Sequence, residues 1–478
     1  MSRDDATTNE RDASSDSDES TDPDTPTGVD APSADATPAV VAARTAADPP
    51  DTTEVRELAA AAGYAVVGEI TQRRREDPTY DLGRGKTEEL MRFVGDADAE
   101  AVIYDGSLSP GQTFSLGDLL PTGTAVIDRP RLVLELFGDA ADSRAADRQL
   151  ELARLRYELP RIRGAIARDS GEDVRLRPEG DGRVLDVEKR IESTERALDE
   201  IADDRATRRT ERRDAGFDLV ALAGYTNAGK STLARRLADD VADPEPAGEP
   251  TDLTTTLSVD GSPFETLSTT TRRATIGGRR ALVTDTVGFL DGLPHGAVRS
   301  FRATLDAVRA ADCALLVVDA SDDSAALRRK LRASLSAIRA TDGPVIPVLS
   351  KADEARAGGG DADDLAPAIE AYEAAVAGLD SDESPVVESL RSPVPVSARD
   401  EAGLSELAAA VADALPTATA TVEASNGGDA QAALSWAYDR GVVDGVDYEG
   451  DAVTVELAGR PAVVDEAERR LRGEDSGE

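Results

Sequence analysis

Eight consecutive residues, Gly224-Tyr225-Thr226-Asn227-Ala228-Gly229-Lys230-Ser231, have the types and spacing of a phosphate cradle, G-x-x-x-x-G-K-[ST]. Gly224 and Gly229 free the backbone to turn its N–H groups inward. Lys230 is long enough to reach β- and γ-phosphates, and the Ser231 hydroxyl suits Mg²⁺. The loop follows the apolar run Phe217 to Ala223 and precedes a helix-like stretch from Thr232 to Asp239, so a helix N-terminus faces the same anion. A plain Gly-rich turn would explain the glycines, but neither Lys230 nor the partners downstream.

Those partners come in a fixed order. Arg280-Ala-Leu-Val-Thr284 reads as a strand ending in Asp285-Thr-Val-Gly288, after a hairpin turn at Gly277-Gly278. Asp285 can hold Mg²⁺ through water, and the Gly288 N–H can meet a γ-phosphate. Between the two motifs, Phe264 to Arg272 is rich in threonine; Thr266 is the choice for completing the Mg²⁺ shell, with its neighbouring threonines as rivals. Metal ligation is therefore expected at Ser231, Thr266 and Asp285, and chemistry at Lys230, Thr266 and Gly288.

Further on, the run Val345 to Leu349 leads into Ser350-Lys351-Ala352-Asp353. The Asp353 carboxylate can accept both N1–H and N2–H₂ of guanine, a donor pair that adenine lacks, while Lys351 covers the base with its aliphatic stem. Ser397-Ala398 closes another apolar run and leaves the Ala398 N–H for guanine O6. His295, the only histidine, follows Leu293-Pro294 and reads as a packing residue at a helix start rather than a general base.

The segments that must position these residues can be read from pattern. Residues 1–37 are an acidic tail with almost no large apolar side chain and are expected to be disordered. In 38–140, apolar runs at Val40-Val41-Ala42, Tyr64 to Val67, Ala101 to Tyr104 and Ala125 to Ile127 alternate with helix-like stretches, as in a small parallel α/β domain. Gly83-Arg-Gly85-Lys86 there is either a weak phosphate motif or a helix-opening turn. In 141–214, Leu152, Leu155, Leu159, Ile162 and Ile166, then Val184, Val187, Ile191, Thr194, Leu198 and Ile201, recur at helical spacing, as in an antiparallel hairpin whose first arm Pro160 should kink or interrupt. Residues 215–416 hold the nucleotide domain, and 417–478 form a small appended α/β unit. The fold class is thus α/β, a P-loop domain preceded by a parallel α/β domain with a helical hairpin and followed by a small C-terminal unit.

Composition narrows the partners. The chain of 478 residues has a net charge of -40 with only five lysines, which argues against general nucleic-acid binding and suggests a salt-adapted proteome. From Arg144 to Arg213, 17 Arg and one Lys face 17 Asp and Glu, so this near-neutral hairpin is the segment that could approach RNA; a solvated, ion-paired surface is the alternative. The single cysteine, Cys313, excludes an internal disulfide and reads as a buried apolar residue. No apolar stretch approaches a membrane span and the N-terminus is acidic, so a cytoplasmic protein without a membrane partner is expected.

Taken together, Gly-Tyr-Thr-Asn-Ala-Gly-Lys-Ser-Thr (224 to 232), Phe-x-Thr-Leu (264 to 267), Thr-Thr-Arg-Arg (270 to 273), Thr-Asp-Thr-Val-Gly-Phe (284 to 289), Leu-Pro-His (293 to 295) and Phe-Arg-Ala-Thr-Leu (301 to 305) resemble the translational-type GTPases, and within them the HflX family. Leu-Ser-Pro (108 to 110), Val-Ile-Asp-Arg (126 to 129) and Leu-Arg-Tyr-Glu-Leu-Pro-Arg (155 to 161) resemble it too. The resemblance covers about residues 38 to 416. It implies GTP and GDP as ligands, a GTPase with Mg²⁺, and a monomer that binds the large ribosomal subunit and its RNA to rescue or split stalled ribosomes. A P-loop ATPase, or a nucleotide-gated scaffold away from ribosomes, is the alternative.

Four features bear on that expectation. Ser350 stands where the family's guanine motif has Asn. Arg175-Leu-Arg-Pro-Glu-Gly-Asp-Gly182 replaces the family's Gly-rich hairpin loop. Phe289 stands where many switch GTPases have a water-orienting Gln, so slow, partner-stimulated hydrolysis is expected. In several GTPases lacking that Gln, the position of Asn227 looks like a K⁺ ligand; the other reading is an Asn that tolerates a left-handed turn.

Overall fold

The computed structural model describes residues 36–46, 49–139, 143–169, 181–238, 270–289, 302–338, 341, 343–356, 366–378 and 385–474. Nearly all of the expected acidic tail, Thr266, His295 and most of the hairpin loop lie outside the described residues.

The first unit runs β1 (Thr37–Thr45), α1 (Thr53–Ala61), β2 (Tyr64–Arg73), α2 (Arg84–Asp96), β3 (Ala101–Asp105), α3 (Pro110–Leu119), β4 (Ala125–Asp128) and α4 (Arg129–Asp139). Its strands pair in parallel in the order β2-β1-β3-β4. Parallel sheets are covered on both faces, and β1 shows why this one is: Ala39, Val41 and Ile103 pack with α1 and α4, while Val40, Ala42 and Val102 pack with α2 and α3. Gly83-Arg-Gly85-Lys86 is the opening turn of α2, with the Lys86 ammonium 2.8 Å from Glu89.

Two long helices follow, α5 (Arg144–Asp169) and α6 (Gly182–Asp214), packed against each other. Of the two expected effects of Pro160, interruption does not occur: α5 runs through it as one helix. Proline removes one helical N–H bond, but the adjacent Arg161 ties this turn to the first unit. Its guanidinium donates to Leu108 O (3.1 Å) and Asp128 Oδ2 (2.8 Å) and lies 3.5 Å over the Tyr157 ring.

The nucleotide-type domain contains β5 (Asp218–Gly224), α7 (Lys230–Leu237), β6 (Thr270–Ile276), β7 (Arg279–Asp285), α8 (Arg302–Arg309), β8 (Cys313–Asp319), α9 (Ser324–Ala337), β9 (Val345–Ser350), α10 (Ala352–Arg356), α11 (Ala366–Ala377), β10 (Val394–Pro395) and α12 (Leu404–Ala414). The sheet order is β10-β9-β8-β5-β7-β6, parallel except for the β6–β7 hairpin. Every residue of β5, β8 and β9 is buried, including Cys313, whose thiol burial pushes up to about 12. Strand order diverges on either side of β5, so the loop leaving its carboxyl end sits at the switch point where such sheets bind ligands.

The last unit is β11 (Ala418–Ser425), α13 (Gly428–Asp439), β12 (Val443–Glu449), β13 (Ala452–Gly459) and α14 (Pro461–Leu471), with antiparallel order β11-β13-β12. Strand β12 escaped the sequence reading because it is an edge strand rich in Asp, Gly and Glu, with a register shift at Val443/Gly445. Arg460 fastens this unit to the domain before it, with NH1 2.6 Å and NH2 3.1 Å from the two oxygens of buried Asp312.

Candidate functional site

The phosphate-loop backbone is shaped by three residues. Gly224 has φ 150°, and a Cβ there would stand 2.3 Å from Val317 O, so β5 and β8 approach too closely for any side chain. Asn227 (φ 62°) and Gly229 (φ 85°) adopt the left-handed conformation that turns the chain into α7. Asn227 is exposed, Ala228 is buried, and Ser231 and Thr232 lie in the first turn of the helix. Lys230 is buried, and its Nζ donates to Tyr225 O at 2.7 Å. Burial pushes this ammonium down to about 8, against the opposing pull of Asp285.

Asp285 ends β7 beside this loop. Burial raises its carboxyl, while the Ser231 hydroxyl, hydrogen-bonded to it, and the Lys230 charge act the other way. A hydroxyl and a carboxylate side by side are the hard oxygen donors that Mg²⁺ takes, usually with few protein ligands and with phosphate and water for the rest. The described residues hold no group of three or more His, Cys, Asp or Glu able to bind a metal.

Gly288 lies directly on the loop: a Cβ there would be 2.6 Å from Thr226 Cα and 2.9 Å from Lys230 Nζ. The next residue, Phe289, pairs with the loop in parallel, donating to Gly224 O (3.0 Å) and accepting from Thr226 N (2.9 Å). Thr226 thus spends its N–H on Phe289 in this arrangement.

The residues expected from the sequence to read the base lie on the loop's other side. The Ser350 hydroxyl reaches Ala228 O of the loop (2.7 Å) and Val318 O (3.0 Å), so this shorter residue keeps a direct bond to the phosphate loop. Lys351 has φ 54° and its Nζ is 2.7 Å from Asp319, which also accepts from the Ser321 N–H and hydroxyl. Asp353 lies in the first turn of α10. Backbone bonds from Ala352 N to Val396 O and from Val396 N to Leu349 O bring the 350–353 turn beside Ser397-Ala398. Arg236 of α7 ties Ala398 O to the phosphate-loop helix at 2.8 Å.

The sequence reading missed the contact of the first unit with this site. The Tyr225 hydroxyl donates to Glu54 Oε1 (2.6 Å), Glu54 pairs with Arg129 (2.6 Å), and Arg129 pairs with Asp105 (2.6 Å). Burial works against the Arg129 charge, but Glu54 and Asp105 outweigh it and raise the group. Tyr225, Val287 and Phe289 pack in one apolar cluster with Val55, Leu58, Leu132 and Phe137 of α1 and α4. The only signal available beforehand was a large phenol at the loop's second position and the Asp-Arg pair ending Val126 to Arg129.

Two family models match the chain: "GTP-binding GTPase N-terminal" over residues 50–138 and "50S ribosome-binding GTPase" over residues 219–351. A GTPase HflX of Thermococcus kodakarensis is 40% identical over 282 residues, 58% of this chain and 60% of the relative. One of Thermofilum pendens is 40% identical over 284 residues, 58% of this chain and 63% of the relative. The match therefore spans under two thirds of the length of these two relatives. A GTPase HflX of Methanocaldococcus jannaschii is 34% identical over 308 residues, 63% of this chain and 72% of the relative. Among solved structures, a GTP-binding protein from Sulfolobus solfataricus in complex with GDP aligns with TM-score 0.40 and 22% identity, covering 79% of this chain and 98% of that one.

Proposed function

The chain belongs to the GTPase HflX family, and we propose that it binds GTP and GDP, hydrolyses GTP, and associates in its GTP state with the large ribosomal subunit in rescue or splitting of stalled ribosomes. One observation carries the nucleotide part: Lys230, Ser231, Asp285 and Gly288 meet at the carboxyl ends of β5 and β7, with Ser350 bonded to the same loop.

In this reading the residues from Gly224 to Thr232 surround the phosphates, and Lys230 and the Gly288 N–H act on the γ-phosphate. Ser231, Thr266 and Asp285 hold Mg²⁺, which supplies positive charge to the phosphates when bound. Asp353 selects guanine, Lys351 covers it, and Ser397 presents the Ala398 N–H to O6. Asn227 is assigned a K⁺ that adds charge where Phe289 cannot orient water. Phe289 makes basal hydrolysis slow and dependent on a partner.

The ribosomal part rests on the description of the model matching residues 219–351 and on the near-neutral hairpin. The reading treats the chain as a cytoplasmic monomer with domains at 38–140, 141–214, 215–416 and 417–478; among the described residues no helix is long and apolar enough to cross a membrane. Titration with fluorescent GTP and ATP tests the nucleotide, and equal affinities would favour the ATPase alternative. Co-sedimentation with large subunits in GTP, GDP and a non-hydrolysable analogue tests the partner; indifference to the nucleotide would refute the switch.

A further inference from the structure

The ion pairs of the helical hairpin are unevenly distributed. Along its body, arginines of one arm meet carboxylates of the other, as in Arg156 with Glu195 (2.6 Å), Arg163 with Glu188 (2.5 Å) and Arg190 with Glu151 (3.1 Å). These pairs neutralise the surface that the composition alone made look available to RNA.

The root of α6 differs. Residues 205–213 hold five arginines and one acid, Glu211. Arg213 is engaged, with NH2 2.5 Å from Ala310 O and 3.0 Å from Asp312. Arg205 has contacts of its own. Arg208, Arg209 and Arg212 carry no ion pair or hydrogen bond from their side chains among the described residues. Spacings of three and four place Arg212 on the same helix face as the other two. Arg212 is half-buried, and its burial, with the charges of Arg208 and Arg209, pushes the guanidinium below its ordinary value. Burial lowers Arg209 too; Asp306 of α8 opposes this and Arg213 adds to it. A partly desolvated cation without a counter-ion is unfavourable. In a chain of net charge -40, two partly desolvated cations, Arg209 and Arg212, beside the exposed Arg208 set this patch apart.

We infer that Arg208, Arg209 and Arg212 form a phosphate-backbone contact for RNA at the root of the hairpin. A phosphodiester chain offers successive anions along a line, as these residues offer successive cations along one helix face, and each guanidinium can grip a phosphate with two parallel bonds. The inference rests on the proposal that the hairpin meets ribosomal RNA, and it narrows the contact to the carboxyl-terminal end of α6.

The test measures binding of the full chain to purified large ribosomal subunits and, separately, to polyuridylate over a series of KCl concentrations. The proteins are wild type, Arg208→Ala/Arg212→Ala and Arg208→Lys/Arg212→Lys, each first checked for unchanged GDP affinity. Each phosphate that a side chain neutralises steepens the fall of log K with log salt by about one, so the slope of the alanine pair should be shallower than wild type by about two. The lysine pair should keep the wild-type slope, which a merely structural role for the arginines would not produce. An unchanged slope in the alanine pair overturns the patch and leaves the ribosomal reading standing. Binding to polyuridylate but not to subunits, with the slope change present, overturns the ribosomal reading and keeps the patch. Wild type that binds neither overturns both.

Discussion

The Tyr225 hydroxyl donates to Glu54 at 2.6 Å, while the carbonyl of the same tyrosine accepts the Lys230 ammonium at 2.7 Å. The phosphate loop is therefore held by the first unit at the residue that also holds its lysine. A nucleotide must draw Lys230 away from that carbonyl, and the tether to Glu54 keeps the carbonyl in place. Tyr225→Phe removes one hydrogen bond worth about 1 kcal/mol, so association of fluorescent GDP should quicken about fivefold. Stopped-flow traces that superimpose on wild type would show that the tether does not gate the loop.

Ser350 takes the place of an Asn and still reaches Ala228 O at 2.7 Å. Ser350→Ala removes the single hydroxyl donor that the Ala228 and Val318 carbonyls share, at a cost of about 1 to 2 kcal/mol. Thermal melting should fall and GDP affinity should weaken together. Ser350→Asn, which brings an amide donor to the same carbonyl, should restore both. A melting temperature unchanged in Ser350→Ala would mean that the hydroxyl contributes nothing to the loop.

What was legible in the sequence depended on residue type at fixed local spacing: the loop at 224–231, Asp285 with Gly288, and the turn at 350–353 all lie at strand ends that their apolar runs announce. The alternation of strand and helix in the first unit was legible for the same reason. Tyr225 with Glu54 and Asp312 with Arg460 are separated by 171 and 148 residues, and no local pattern couples residues so far apart. Helix α5 continues through Pro160, where a tertiary anchor, Arg161 on Asp128 and Leu108, holds the turn that lacks one helical bond. The near-neutral hairpin was visible as a charge sum, whereas the contrast between the ion pairs along its body and Arg208, Arg209 and Arg212 at its root required the geometry.

Burial pushes the Lys230 ammonium down to about 8, and phosphates beside it would raise that value. Binding above this pH must then take up a proton, so GDP affinity should be flat below it and fall above it by up to about tenfold per pH unit. Calorimetry in two buffers of different ionisation enthalpy, about one unit above that value, should report the proton uptake. The sign for folding is opposite: the folded value lies below the ordinary 10.5 of a lysine, so the free protein gains stability as pH rises between the two. Lys230→Met should abolish both dependences. A GDP affinity that stays level across this range would show that the lysine is already shielded from the phosphates.

Asn227 combines a left-handed backbone (φ 62°) with an exposed side chain, so a backbone role and a ligand role can be separated by substitution. Asn227→Gly keeps the conformation and removes the amide; Asn227→Ala removes the amide and adds strain of about 1 kcal/mol. If the amide holds K⁺ beside the phosphates, wild type should hydrolyse GTP faster in KCl than in NaCl at equal ionic strength, and both variants should lose that difference while GDP affinity changes little. If the residue serves only the turn, Asn227→Gly should behave as wild type in both salts and only Asn227→Ala should be impaired. Equal wild-type rates in the two salts would remove K⁺ from the mechanism and leave Asn227 as the residue that bends the loop into α7.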